Sequence, residues 1–348
     1  MSVRFRRSLK IAPGVRINFN TNSTSLTLGP RGAHYTMSST GRRTVSGGIP
    51  GTGLYAYQSY NPKTAGRTTK RSTQYVPQDL HQFAGPTPKP GLFAGKAEKA
   101  LYGFMNDIYN PDAKKTPKQI VDKAKALRDA YQSLMYPLNL IAFVHILTED
   151  EYQEKLLEMG EQLWSNRQSA FADPMVVKYF RGIRPVIRIT DGISSTDIFN
   201  VQQFGFIWVE VLQAHEKYDE ALEILHQMEA DQLVAISIAD IELSQKDYPA
   251  VLETTDQITN EDDATTILLI MRGIAFREQE LYEASLECMK EALVKKNRDP
   301  KALARAHFER SFTYEKMGKI AQAKKDLELI LVTDPSNEEV LKRINSLG

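Results

Sequence analysis

The chain has 348 residues, 42% hydrophobic and 25% charged. That is the balance of a soluble globular protein with room for two or three domains. The single cysteine, Cys288, excludes an internal disulfide and fits a reducing, cytoplasmic setting. The opening MSVRFRRSLK lacks the apolar core of a signal peptide. The longest apolar run, residues 137–147, is about half of a membrane span and reads as a buried helix.

A net charge of +1 hides a separation along the chain. Residues 1–75 carry twelve Lys/Arg and no acid, and residues 76–200 balance fifteen against fifteen. Residues 201–290 hold nineteen acids against five bases, and residues 291–348 return to +3. Such asymmetry bears on partners rather than on fold.

Residues 1–57 read as short strands. Val3, Phe5, Leu9 and Ile11 alternate with Arg4, Arg6, Ser8 and Lys10, and Arg7 breaks the pattern as a bulge or edge would. Val15, Ile17 and Phe19 resume the alternation, Leu26 and Leu28 follow, and Ala33, Tyr35 and Met37 come after a turn at residues 29–32. The regular turn spacing predicts a small antiparallel β-meander. RFRRSLKIAPGVRINFN, LGPRGAH and GIPGTGLYAY, in that order, resemble a small bacterial and phage domain family of unknown function. The resemblance covers roughly residues 3–57 and implies no activity.

The glycines of SGGIPGTGL (46–54) could cradle a phosphate. However, no lysine follows Gly53, and Leu54-Tyr55-Ala56-Tyr57 favours a strand rather than a helix N-terminus. Pro50-Gly51 suits the centre of a type II turn. The basic face of Arg4, Arg6, Lys10, Arg16, Arg42 and Arg43 has three readings: a solvated surface, a contact for acidic protein (this chain's own acidic segment included), or a nucleic-acid or anionic-lipid site. In the nucleic-acid reading Tyr55, Tyr57 and Tyr60 stack on bases. Residues 58–93, with alternating Pro86, Pro88 and Pro90, read as a semi-rigid linker.

Residues 94–200 predict helices. Ala100, Leu101, Phe104 and Ile108 form one stripe, and Thr116-Pro117-Lys118-Gln119 is a capping box opening a helix that carries Ile120, Ala124, Leu127, Tyr131 and Leu134. Thr148 and Glu151 suggest a second box. His145, in an apolar run, reads as a packed, hydrogen-bonded histidine. Residues 185–195 fit a strand or a loop.

From residue 201 the chain repeats itself. Tyr218, Tyr248, Tyr282 and Ile320 stand 30, 34 and 38 residues apart, each opening an amphipathic helix after a break. With Gly273, Phe276, Ser285 and Ala292, and with Ser311, Tyr314, Gly318, Ala323, Leu327 and Pro335, the pattern resembles the tetratricopeptide repeat (TPR), a helix–turn–helix unit. Small Ala221, Ser285 and Ala323 let the helices cross closely. Ser336 and Glu339 are expected to cap a last helix over roughly 337–347, and Cys288 reads as a small buried hydrophobe. The fold class expected is therefore α+β, a small β-meander followed by a mainly helical TPR-like solenoid over residues 201–348.

The resemblance implies a peptide groove on the first helix of each unit. Its positions here are Phe206, Glu210, Gln213, Ile236, Asp240, Ile270, Ile274, Arg277, Phe308, Phe312 and Glu315. Some of the apolar ones are expected to pack the core instead. The lysines and asparagines with which some members clamp a terminal carboxylate are absent, so an apolar groove with acidic flanks suits a basic-flanked amphipathic segment. No zinc-type Cys/His spacing, G-x-S-x-G or Walker lysine occurs. The chain is read as a bacterial, non-enzymatic adaptor for a protein or peptide, without cofactor or metal.

Overall fold

A computed structural model describes the backbone of six N-terminal strands together with residues 87–109, 115–147, 149–190 and 193–347. The strands are β1 (Arg6–Ala12), β2 (Val15–Asn20), β3 (Ser23–Leu28), β4 (Ala33–Ser38), β5 (Arg43–Gly48) and β6 (Tyr55–Tyr60). Each pairs antiparallel with the next, the meander that the turn spacing predicts. The register shifts between Lys10 and Ala12, so the irregularity lies at Ile11 and not at Arg7. The sheet also runs to Tyr60, three residues beyond the expected edge of the module. The Pro50-Gly51 turn, the linker as far as Gln82 and beyond to residue 86, and the side chains of the basic face lie outside the described residues.

The rest is mostly helical. α1 (Lys96–Tyr109), α2 (Pro117–Ala130), α3 (Met135–Ile146), α4 (Gln153–Ser165), α5 (Arg167–Ala172) and α6 (Pro174–Phe180) form the first part. The capping box of α2 is present: Gln119 N donates to Thr116 Oγ1 at 3.3 Å, and Thr116 N donates to Gln119 Oε1 at 3.1 Å. The helix ends at Ala130, because Tyr131 leaves helical geometry and Leu134 belongs to a separate 3-10 turn. α3 is apolar all round and buried, as its run of residues requires. Its His145 Nδ1 lies 2.8 Å from the Ile141 carbonyl, a packed and bonded histidine. Thr148 of the second expected capping box lies outside the described residues; Glu151 sits in a 3-10 turn, Asp150–Tyr152, and α4 starts at Gln153, where Tyr152 makes no side-chain cap. Between α6 and the next helix, residues 185–195 resolve into a hairpin of β7 (Ile187–Thr190) and β8 (Ile193–Ser195).

Four helical pairs follow: α7 (Val201–Ala214) with α8 (Tyr218–His226), α9 (Gln232–Gln245) with α10 (Tyr248–Thr254), α11 (Asp263–Glu278) with α12 (Tyr282–Val294), and α13 (Pro300–Lys316) with α14 (Ile320–Thr333). All four turn in the same way. A left-handed residue, Glu216, Lys246, Glu280 or Gly318, stands two positions before the second helix. The next N–H then reaches back five residues to a carbonyl: Lys217 to Leu212, Asp247 to Glu242, Leu281 to Phe276 and Lys319 to Tyr314, at 2.8–2.9 Å. This is the Schellman closure of a helix end. The residue three after each anchor is wholly buried: Ala221, Val251, Ser285 and Ala323. Ser285 uses its hydroxyl to join the following pair, 2.9 Å from Thr313 Oγ1.

The first helices pack side by side, α9 on α11 and α11 on α13, and each second helix packs on the first helix of the next pair. A continuous core runs from Leu101 to Ala306, and a smaller one around Phe308, Leu327, Ile330 and Val340 joins α13, α14 and α15 (Glu338–Ser346). The cap of α15 is Asn337, which accepts from Val340 N at 3.2 Å, rather than Ser336, whose hydroxyl instead turns to Asp334. Cys288 is half-buried rather than enclosed, and burial raises its thiol pKa.

Candidate peptide-binding face

The first helices of the four pairs make one face, and the β7–β8 hairpin is seated on part of it. β7 packs against α7 and α9. Its Ile187 and Ile189 are buried, and Arg305 of α13 donates from Nη1 to Thr190 Oγ1 at 3.1 Å. Alternation puts Arg188 on the opposite side of the strand from the two isoleucines.

Arg188 shares its surroundings with two acids from the expected groove set. Burial, with the nearby Asp240 charge, pushes Glu210 up to about 8, and Arg188 opposes the rise. Burial also raises Asp240, against the pull of Arg305 and Arg188. Glu210 on α7 and Asp240 on α9 thus both feel the charge of Arg188 on β7, and Asp240 that of Arg305 on α13 as well. Gln213 lies half-buried one turn beyond Glu210.

A separate cluster gathers Arg277, Phe308, Phe312 and Glu315. Arg277 Nη1 donates to Glu309 Oε2 at 2.7 Å, and its guanidinium lies 5.4 Å from the Phe312 ring centroid. Phe308 meets Phe312 edge-on at 5.1 Å. Arg343 of α15 stacks on Phe312 at 3.6 Å and bonds Glu315. Arg343 and Glu309 had no signal in the groove pattern. Arg343 comes from the capping helix, and Glu309 sits on the buried side of α13, where a carboxylate is expected only if paired.

Four of the expected groove residues do not line the face. Phe206, Ile236, Ile270 and Phe308 are 2%, 0%, 0% and 2% exposed and pack the core beneath it. Ile274 is half-buried against the same core. The reason is steric: adjacent first helices approach closely enough to enclose any side chain pointing between them, so only positions on the open side stay accessible. Glu210, Gln213, Asp240, Arg277, Phe312 and Glu315 keep part of their surface. Of the basic set, only the backbone positions of Arg6, Lys10, Arg16 and Arg43 fall within the described strands.

Among the described residues no group of three or more His, Cys, Asp or Glu is placed to hold a metal ion. No helix there is long and apolar enough to cross a membrane.

Comparison with known proteins bears on the two parts differently. Residues 3–56 match a domain family described as "Protein of unknown function (DUF4236)". The comparison with curated proteins gives no match. Among solved structures, the crystal structure of the N-terminal domain of the EccA1 ATPase from the ESX-1 secretion system of Mycobacterium tuberculosis is similar in fold. Its TM-score is 0.50 at 13% identity, over 72% of this chain and 89% of that one. The chain therefore joins a segment similar to that domain family to a mainly helical body similar in fold to the EccA1 domain.

Proposed function

We propose that this chain is a non-enzymatic adaptor of the bacterial cytoplasm, and that its last four helical pairs are TPR-like units whose first-helix face captures a peptide or helix of a partner protein. The observation that carries the reading is the makeup of the open side of that face. It holds partly accessible acids, Glu210, Asp240 and Glu315, and one partly accessible aromatic, Phe312, over the buried apolar side chains of Phe206, Ile236, Ile270 and Phe308. A rim of carboxyl groups around an apolar floor suits a basic-flanked amphipathic segment, whose cations would favour the ionised forms of Glu210 and Asp240. β7 offers a parallel within the chain: Ile187 and Ile189 are buried where it packs on α7 and α9, while the Arg188 charge favours the ionised forms of Glu210 and Asp240. The fold likeness to the EccA1 domain supports a helical-pair architecture and carries no partner with it. The basic N-terminal module is the second contact in this proposal.

The test is capture by the full-length chain compared with Phe312→Ala and with the double variant Glu210→Gln/Asp240→Asn. Phe308→Ala is the poorer probe, since Phe308 belongs to the core and its loss costs about 3–5 kcal/mol of stability. Both face variants are expected to lose any partner that the parent chain retains from a bacterial lysate. Undiminished capture of every partner by both variants overturns the proposal.

A further inference from the structure

We infer that the outer edge of β8 is a strand-addition site for an extended segment bearing lysine or arginine at alternate positions. The site lies where β8 meets the starts of α7 and α9, and the inference does not depend on the adaptor reading. The hairpin is a two-stranded sheet: β8 pairs with β7 along one side, Ile187 with Ser195 and Arg188 with Ser194. Its other side borders a recess of about 410 Å³. Ser194 and Ser195 of β8, with Thr196 and Asp197 just beyond the strand, line that recess. Successive side chains point to opposite faces of a strand, so a space lined by both serines meets the strand at its edge rather than over one face. An exposed edge offers main-chain N–H and C=O groups to an added strand.

The far wall of the recess is built from the starts of α7 and α9, and its chemistry calls for donors. Gln203 is 2% exposed. Its amide nitrogen bonds Ser195, while its Oε1 has no hydrogen-bond partner among the described groups. A buried acceptor left in this state costs roughly 1–3 kcal/mol until a donor meets it. Asp231 and Asp197 place two carboxylates on the lining, and neither Lys nor Arg lines it. Arg184 reaches only the rim, 3.8 Å from Asp197 Oδ1. Helix N-termini ordinarily favour anions. Here Asp231 already caps α9, accepting from Val234 N at 2.8 Å, so the recess presents acceptors and negative charge. Leu233, half-buried at the start of α9, gives the wall an apolar patch against which the stem of a long cationic side chain can lie. At ~3.3 Å per residue, the three residues of β8 seat about three residues of an incoming strand.

The experiment titrates the full-length chain with acetyl-Thr-Arg-Val-Arg-Thr-amide by calorimetry. Two further probes are the same peptide with alternate backbone amides N-methylated, and agmatine, which carries the cation without a backbone. The plain peptide is expected to saturate, and the methylated one to bind at least tenfold more weakly. Agmatine is expected to show no saturable binding. Gln203→Met should weaken the peptide about tenfold. Asp197→Asn, at an exposed position where asparagine can still accept from Ile198 N, should weaken it severalfold and flatten its salt dependence. This second variant keeps the test decisive should Gln203→Met disturb folding. No binding of the plain peptide, equal binding of the methylated peptide, or agmatine binding as tight as the peptide's would overturn the inference.

Discussion

Glu210→Gln gives a quantitative test of the burial of Glu210 beside Asp240. Burial and the Asp240 charge lift the Glu210 carboxyl from 4.5 to about 8, so the fold prefers its protonated form. The unfolded chain ionises this group near 4.5, and between 4.5 and about 8 the folded state holds one more proton than the unfolded state. Stability from this group is therefore fully present below 4.5, falls as pH rises through the window, and levels off above about 8. At ~1.4 kcal/mol per pH unit, the whole window has a ceiling of about 5 kcal/mol. Glu210 keeps part of its surface, and water there screens the charge, so about 2–3 kcal/mol is the expected size. Glutamine keeps the shape and removes the titration. Asp240 and the other shifted carboxyls remain in both chains and largely cancel in the comparison. Urea unfolding of parent and variant at pH values from about 5 to about 9 should show equal stability at the acid end and an advantage for the variant that grows and then levels off. A difference that stays constant across that range refutes the placement of Glu210 in a buried, acid-paired site.

Other expectations follow from packing and capping. An alanine Cβ at Gly160 would lie 2.2 Å from the Trp208 ring, so Gly160→Ala should cost about 3 kcal/mol in urea unfolding. Gly205→Ala, which meets chiefly the flexible Met228, should cost about 1 kcal/mol, and the reverse order would contradict the packing of α4 on α7. Burial alone would raise Asp326, but hydrogen bonds from Arg310 and His307 outweigh it and hold the pKa below 3.8. Asp326→Asn should therefore destabilise the α13–α14 pair by about 3 kcal/mol at neutral pH, because it leaves Arg310 without its charge partner. That advantage of the parent is fully present above 3.8 and should vanish as pH falls through the lowered value. Glu280 takes a left-handed conformation that costs a side-chain-bearing residue roughly 1 kcal/mol, so Glu280→Gly should raise the melting temperature slightly. A clear fall would mean that its side chain stabilises the turn.

Much of this architecture is local and was legible in the residues. The capping box of Thr116 and Gln119 closes within four positions, and it forms as read. The anchors Tyr218, Tyr248, Tyr282 and Ile320 mark the helical pairs because each follows a turn closed by bonds spanning only five residues. The third and fourth pairs carry the clearer pattern, with small residues at Gly273, Ser285 and Ala323 where helices cross. The Ser336–Glu339 signal misled as short motifs often do. It fits a capping pattern, but Asn337 took the cap of α15.

The sequence by itself determined where helices start, how the four pairs turn and which stripes are apolar, since those depend on contacts within a few residues. Only the tertiary structure decided which apolar positions were left open. Phe206, Ile236, Ile270 and Phe308 obey the same periodicity as Phe312, yet neighbouring helices enclose four and leave one partly accessible. It also decided that residues 187–195 form a hairpin seated on the first helices, through contacts such as Arg305 to Thr190 that span 115 residues. No local pattern encodes a contact of that range. It exists because α7 and α9 present an apolar surface on which Ile187 and Ile189 settle, while Arg305 of α13 holds Thr190.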